Sequence, residues 1–309
     1  MKKIFIDGSV GTTGLRIHER LSGRADVELM LLPEEKRKDP EARREALNSC
    51  DIAFLCLPDA AAIEAVEMID NPNVTVIDAS TAHRTLPGWC YGFPELSEDR
   101  LESLKQAKRI AVPGCHASGF ISLVYPLLEA GFLSADQKLT CHSITGYSGG
   151  GKKMIADYEA EELDILLGAP RQYGLTQQHK HLKEMKAISG LSEAPIFCPI
   201  VSNFYSGMMV TVPIFASDLQ KGSIEDIRQL YREKYQGPIV RYEEHADEAG
   251  FLSAHAMTQK DSMVVTVEGN EERILLIAVY DNLGKGASGA AVECMNYVMG
   301  VDPTTGLEL

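Results

Sequence analysis

A short apolar strand, Lys3 to Ile6, runs directly into Gly8-Ser9-Val10-Gly11-Thr12-Thr13-Gly14, and a helical pattern follows with Leu15, Ile17, His18 and Leu21. Strand, glycine-rich turn and helix in immediate succession open a doubly wound α/β domain, and they are the context in which a dinucleotide pyrophosphate binds. Glycines let the backbone approach the phosphates, whose charge sits against the helix N-terminus. The spacing is G-x-x-G-x-x-G and not the commoner G-x-G-x-x-G, so a tight turn that binds nothing is the other reading of these residues.

The alternation of strand and helix continues. Glu28 to Leu32 reads as a strand ended by Pro33, Ile52 to Leu57 as a buried parallel strand, and Asp59 to Ile69 as a helix carrying Ala61, Ala62, Ala65 and Val66. Val74 to Ile77 is a further strand, leading to Asp78-Ala79-Ser80-Thr81-Ala82-His83-Arg84. This grammar predicts a doubly wound parallel sheet, in which ligands collect at the carboxyl ends of strands. No Asp caps the second strand to hold a ribose. Lys36-Arg37-Lys38 follow it instead, a basic cluster suited to the 2′-phosphate of NADP or, equally, a solvated loop of mixed charge.

Ile110 to Val112 is the last strand of the series and ends in Pro113-Gly114-Cys115-His116-Ala117-Ser118-Gly119. Residues from His116 to about Ala130 follow a helical pattern, apolar at Phe120, Ile121, Val124, Leu127 and Leu128. A cysteine at that junction sits at a helix N-terminus, where unpaired N–H groups and the helix dipole favour a thiolate. Pro113 and Gly114 make the sharp turn, and the small residues behind Cys115 admit a substrate carbonyl. A buried structural cysteine is the alternative at this position.

Beyond this helix the pattern changes. Extended segments dominate, at Lys138 to Thr145, Ala194 to Val201, Met208 to Phe215, Met263 to Glu268 and Arg273 to Ala278, with helical stretches at Met154 to Leu167 and Ile224 to Tyr235. Strands outnumbering helices predict an α+β domain with a mixed or antiparallel sheet. Ser148-Gly149-Gly150-Gly151-Lys152-Lys153 is a glycine loop ending in cations at a helix start, able to hold phosphate through backbone N–H groups although it lacks P-loop spacing. Gln178-His179-Lys180-His181-Leu182-Lys183-Glu184 offers a general base with an orienting carboxylate, which a thiol nucleophile needs. Exposed polar residues on a helix are its plainer reading. The H-x-H core invites zinc, yet no further ligands stand nearby in a metal pattern, so no metal is expected. Asp281-Asn282-Leu283-Gly284-Lys285-Gly286-Ala287-Ser288-Gly289 precedes a last helix, Ala290 to Met299, and its small residues suit cofactor contact or helix packing alike. His18, His83, His116, His142, His245 and His255 show no partner pattern and are expected to be structural.

A chain of 309 residues exceeds what one hydrophobic core usually supports, so two domains are expected. The net charge of −14 argues against nucleic acid or an anionic membrane as partner. Seven cysteines, an odd number with no C-x-x-C pair, fit free thiols in a reducing cytosol. The start, Met1-Lys2-Lys3-Ile4-Phe5-Ile6-Asp7, is too short an apolar stretch for a signal peptide, and nothing approaches the about 20 apolar residues of a membrane span. A cytoplasmic globular protein is expected.

With its glycine turn, its strand-end Pro-Gly-Cys-His-Ala-Ser, its H-x-H-x-x-E segment and its Asp-Asn-Leu-x-Lys-Gly-Ala-x-Gly tail, the whole chain resembles the N-acetyl-gamma-glutamyl-phosphate reductases, and most of all their shorter variant. The resemblance implies NADPH-dependent reduction of an acyl phosphate to a semialdehyde through a Cys115 thioester, in arginine biosynthesis. It implies His179 as acid/base, with Arg84, Ser148, Gly149, Lys152, His181 and Glu184 toward the substrate or its phosphate. Gly8, Gly11, Thr12, Thr13, Gly14, Arg37, Ser80 and Asn282 are then cofactor residues. Lys152 stands where longer members carry arginine, and lysine acts on phosphate as a point charge. The implied domains are a discontinuous dinucleotide-binding domain, 1–115 with 286–309, and a catalytic and oligomerisation domain, 116–285, in a homo-oligomer that is a dimer or tetramer. A reductase of the aspartate-semialdehyde dehydrogenase type acting on another acyl phosphate is the rival enzyme. A nucleotide-binding redox sensor without chemistry is the rival outside enzymes.

Overall fold

Alternate residues of the first strand decide how the N-terminal part of the molecule is layered. In β1 (Lys2–Asp7), Ile4 and Ile6 enter one hydrophobic cluster and Phe5 another, because successive side chains of a strand point to opposite faces. A sheet buried on both faces is the result. The computed structural model describes residues 1–309 and divides into two compact units, Met1–Pro113 with Ala287–Leu307 and Gly114–Gly286 with Glu308–Leu309.

The first unit continues through α1 (Thr12–Leu21), β2 (Val27–Met30), α2 (Pro40–Ser49), β3 (Ile52–Leu55), α3 (Asp59–Glu67), β4 (Thr75–Asp78), β5 (Cys90–Tyr91), α4 (Glu98–Gln106) and β6 (Arg109–Ala111). Its six strands are ordered β2-β1-β3-β4-β6-β5 and all pair in parallel. This is the doubly wound sheet expected from the βα alternation. Ala290, Ala291, Val292, Cys294 and Met295 of the helix Gly289–Met299 pack with Ile4, Ile6, Ile17 and Ile77 on one face. Leu47, Ala62 and Ala65 pack with Phe5, Leu55 and Val76 on the other. This last helix is therefore part of the first unit's core.

The second unit holds α5 (Cys115–Glu129), β7 (Thr140–Gly146), α6 (Gly151–Tyr158), β8 (Arg171–Gln172), α7 (His181–Ser189), β9 (Ile196–Ser202), β10 (Met208–Phe215), α8 (Ile224–Lys234), β11 (Val240–Tyr242), β12 (Met263–Gly269) and β13 (Arg273–Tyr280). Its seven strands run β11-β12-β13-β10-β7-β9-β8, with parallel and antiparallel pairs mixed. β10 alternates cleanly: Met208, Val210, Val212 and Ile214 are buried, while Phe215 at its end is exposed. α5 lies on the buried face, and it lies close. A Cβ at Gly119 would stand 2.7 Å from the Tyr280 hydroxyl and from Val210 Cγ2, so only glycine fits there.

The helix expected over Met154–Leu167 ends at Tyr158. The Asp164 carboxylate accepts the N–H of Leu166 at 2.9 Å and starts a separate short turn, Ile165–Gly168. A side chain that bonds the nearby backbone competes with helix continuation. The second strand is also shorter than Glu28–Leu32, because its pairing to β1 stops at Phe5 and Met30.

Candidate active site

Cys115 is the first residue of α5, and extended Gly114 (φ −74°, ψ 144°) is the cap residue before it. No side chain caps this helix end and no acidic residue occupies its first turn, so the positive end of the helix faces the thiol. Four hydrogen bonds hold the turn. Gly114 N–H donates to Glu184 Oε2 at 3.0 Å, and Ser118 N–H donates to the Gly114 carbonyl at 2.9 Å. The hydroxyl of buried Tyr280 donates to the Cys115 carbonyl at 2.5 Å while accepting the Gly119 N–H at 3.0 Å. A Cβ at Gly286 would stand 3.1 Å from Cys115 Cβ, so the loop after β13 also passes against the cysteine.

A cluster of rings stands beside this turn. The His116 ring lies 5.6 Å from that of His179, 5.5 Å from His181 and 5.2 Å from Phe197, centre to centre. His179 and His181 are 4.7 Å apart, edge to face, and His179 Nδ1 accepts the His181 N–H at 3.2 Å. His181 and Glu184 share a face of α7 at i, i+3 spacing, with Nε2 and Oε1 3.9 Å apart. Both are buried, so the reading of this segment as exposed helix surface is overturned. The carboxylate that orients a histidine thus meets His181. His116 was expected to be merely structural, yet it sits among these rings, with Nδ1 2.6 Å from Ser143 Oγ and Nε2 2.6 Å from the Tyr173 hydroxyl. Burial, helped by neighbouring His179, pushes its pKa down to about 3, and it is neutral.

Asn282 braces the glycine loop. Its Oδ1 accepts the Gly207 N–H at 2.9 Å and its Nδ2 donates to Ser148 Oγ at 3.0 Å, with Gly149 close by. Asp281 is wholly buried and gathers the Ser206 hydroxyl and the N–H groups of Gln259, Leu283 and Gly284. Lys152 and Lys153 are exposed at the start of α6. Cations there oppose the helix dipole, which an anion at the same place offsets.

In the first unit, Gly8 and Gly14 are required by close backbone approach. A Cβ at Gly8 (φ +85°) would stand 2.3 Å from the Cys56 carbonyl oxygen, and one at Gly14 2.4 Å from that of Gly8. Gly11 caps α1 without a side-chain bond, and Thr12 and Thr13 begin that helix with no acidic residue. A cavity of about 640 Å³ is lined by Gly8, Ser9, Arg37, Lys38, Arg43 and Leu57. A second, of about 160 Å³, is lined by Gly11, Thr12, Thr13, Cys56, Leu57 and Ala79. An open helix N-terminus between two cavities, one lined by Arg37, Lys38 and Arg43 together with Asp7, Glu34 and Glu35, fits a dinucleotide phosphate. Arg43 is tied to Asp7 at 2.9 Å, whose carboxyl burial pushes above its ordinary range. Ser80 donates its hydroxyl to Asp78 at 2.7 Å, and His83 Nδ1 lies 2.6 Å from the same carboxylate. Arg84 is buried, its Nε and Nη2 donating to the carbonyls of Val112 and Ala79.

The model of the semialdehyde dehydrogenase NAD binding domain matches residues 3–104, and that of the semialdehyde dehydrogenase dimerisation domain matches residues 115–282. N-acetyl-gamma-glutamyl-phosphate reductase 2 of Pseudomonas putida is 45% identical over 305 residues, 96% of each chain. The N-acetyl-gamma-glutamyl-phosphate reductase of a Chelativorans species is 46% identical over 311 residues, 96% of this chain and 98% of its own.

The chain belongs to the N-acetyl-gamma-glutamyl-phosphate reductase family.

Solved aspartate semialdehyde dehydrogenases share its two-domain fold. Aspartate semialdehyde dehydrogenase II of Vibrio cholerae superposes with a TM-score of 0.73 at 17% identity, covering 97% of this chain and 99% of its own. The enzyme of Candida albicans, solved with NADP, superposes with a TM-score of 0.66 at 15% identity over 97% and 99%. Within this family frame the second unit brings Cys115, His179, His181 and Glu184 into one neighbourhood and Ser148, Gly149 and Asn282 into another. The first unit places Gly8 and Arg37 in one cavity and Gly11, Thr12 and Thr13 in the next. His116, Ser143, Tyr173 and Tyr280 escaped the sequence reading. One signal was available for His116, its place directly after the cysteine. No helix is long and apolar enough to cross a membrane.

Proposed function

We propose that this chain reduces N-acetyl-L-glutamyl 5-phosphate to N-acetyl-L-glutamate 5-semialdehyde with release of phosphate. The observation that carries this reading is Cys115 at an uncapped helix start beside the His116, His179 and His181 cluster. The substrate comes from the relatives' shared name. The Cys115 thiolate attacks the acyl carbonyl, the bond from that carbon to the phosphate oxygen breaks, and a thioester remains. NADP in its reduced form, when bound, supplies the hydride. Collapse of the resulting thiohemiacetal breaks the C–S bond and returns the thiolate to Cys115. His179 takes the thiol proton and moves the proton of the collapsing hydroxyl.

His181 and Glu184 hold substrate and keep the Cys115 turn in place, and Ser148, Gly149, Lys152 and Arg84 serve its phosphate. Gly8, Gly11, Thr12, Thr13 and Gly14 cradle the cofactor pyrophosphate, and Arg37 meets the 2′-phosphate. Ser80 shapes the loop after β4 beside them. Asn282 keeps one amide hydrogen for the cofactor beyond the one it gives to Ser148. We assign the dinucleotide role to residues 1–115 with 286–309 and the catalytic and oligomerisation role to 116–285. Seven free cysteines suit a cytoplasmic enzyme. Exposed Phe215, Leu275 and Ile196 on the mixed sheet suit a homo-oligomer, dimer or tetramer.

The test is phosphate-dependent reduction of NADP with N-acetylglutamate semialdehyde, set against aspartate semialdehyde. Preference for the acetylated substrate is expected. Preference for aspartate semialdehyde overturns the substrate, and no reduction with any semialdehyde overturns the enzyme.

A further inference from the structure

Ser143 lies on β7 with its side chain fully buried, and His116 Nδ1 is the hydrogen-bond partner of its hydroxyl. A buried hydroxyl hydrogen needs an acceptor, and the ring nitrogen is the acceptor at hand. Ser143 therefore donates to Nδ1. A neutral imidazole whose Nδ1 accepts carries its hydrogen on Nε2. That hydrogen goes to the Tyr173 oxygen at 2.6 Å. The Tyr173 oxygen is thus an acceptor toward His116, and its own hydrogen is turned away from the ring. Tyr173 is half-buried, with its ring 5.9 Å from that of His179. The opposite tautomer would leave the Ser143 hydrogen buried with nothing to accept it.

From this arrangement we propose that Tyr173 is a further catalytic residue, whose hydroxyl donates to the oxygen of the acyl group carried on Cys115. Ser143 and His116 are the positioning residues that aim it. The proposal rests on the reduction described above. When the thiolate adds to the acyl carbonyl, and again when hydride adds to the thioester, charge gathers on that oxygen, and a phenol hydrogen that His116 does not take stabilises both states. Tyr173 lends the hydrogen bond and keeps its proton, so His179 remains the group that exchanges protons. Burial and the charge of Cys115 both push the Tyr173 pKa up, which keeps the phenol a donor over the working pH range.

Nitrogen-15 NMR of the imidazoles in the whole wild-type chain reads the tautomer directly. His116 is expected neutral with hydrogen on Nε2 from pH 5 to 8, and hydrogen on Nδ1 overturns the proposal because Tyr173 would then be donating to His116. Tyr173→Phe is expected to lower kcat for the semialdehyde with phosphate and NADP by about 10²–10³ while KM and the alkylation rate of Cys115 hold within about threefold. A kcat loss below about threefold also overturns it. The NMR result stands on the wild-type protein should the variant fold poorly. A wild-type protein inactive on N-acetylglutamate semialdehyde, with His116 in the expected tautomer, overturns the reaction and not the aim of the Tyr173 hydrogen, so the two failures are told apart.

Discussion

Glu184 accepts the backbone N–H of Gly114 at 3.0 Å, so a carboxylate on α7 holds the residue from which the helix of Cys115 departs. The same carboxylate stands 3.9 Å from His181. One buried side chain therefore holds the turn before Cys115 and meets His181 together.

Glu184→Gln preserves an acceptor for Gly114 and is expected to remain close to wild type in stability. Glu184→Ala leaves the Gly114 N–H without its acceptor, and loss of about 1–3 kcal/mol is expected from urea unfolding. Cys115 should also react more slowly with iodoacetamide once its turn is loosened. An alanine variant as stable as the glutamine variant would show that the contact carries no weight.

Cys115→Ser should abolish hydride transfer and leave NADPH binding nearly intact, because the cavities proposed for the cofactor lie among first-unit residues such as Gly8, Arg37 and Thr12. Serine has no thiolate to open the covalent path. Turnover above about a tenth of wild type, a barrier change of about 1.4 kcal/mol, would refute the assignment. Fluorescence titration with NADPH gives the binding arm.

Periodicity made the first unit legible. Ile4 and Ile6 against Phe5, and Ala62 with Ala65, write the two faces of the parallel sheet into the sequence. The candidate site was legible where chemistry marks residues locally, as at Cys115 after Pro-Gly and at His179 and His181, which the fold brings near one another. It was not legible where partners come from distant strands. Ser143 and Tyr173 meet His116 across 27 and 57 residues, and Tyr280 reaches Cys115 across 165. No spacing rule connects such positions, because the pairing of β7, β9, β10 and β13 brings them together. Glu184 was readable as an orienting carboxylate, but helix register gives it to His181.

Arg37 and Lys38 line the larger cavity, and Lys36 is not among its lining residues. Arg37→Ala with Lys38→Ala should weaken NADPH much more than NADH, since only NADPH carries the 2′-phosphate. Lys36→Ala serves as the control and should leave both affinities nearly unchanged. Equal losses for the two nucleotides in the double variant would make the cluster a solvated loop.

His179→Asn is expected to slow turnover by about 10²–10⁴ while Cys115 remains alkylatable, the usual contribution of general acid–base catalysis. His181→Asn should act mainly on KM, because Glu184 holds that ring within the buried face of α7. Kinetics of both variants across pH decide between them. A flattened pH–rate profile in the His181 variant, with His179 dispensable, exchanges the two roles.

His116 makes stability depend on acid. Its pKa falls from an ordinary 6.5 to about 3 in the folded chain because burial disfavours the charged ring. Between those values the unfolded chain binds a proton that the folded chain does not, so stability rises with pH across this window. The contribution is complete above the unfolded value and is lost as pH falls toward the folded one, with a slope on the order of 1 kcal/mol per pH unit near the middle. Asp7 works in the opposite sense: burial raises its folded pKa, so its contribution is present below the ordinary carboxylate value and fades as pH rises through the raised one. Urea midpoints of wild type and His116→Gln, taken from pH 7 to pH 4, separate the histidine from all other groups. The wild-type curve should fall more steeply on acidification, and the two curves should run parallel above pH about 7. Parallel curves throughout would mean that His116 takes up its proton in the folded chain as readily as in the unfolded one, and the neutral ring between Ser143 and Tyr173 would be wrong.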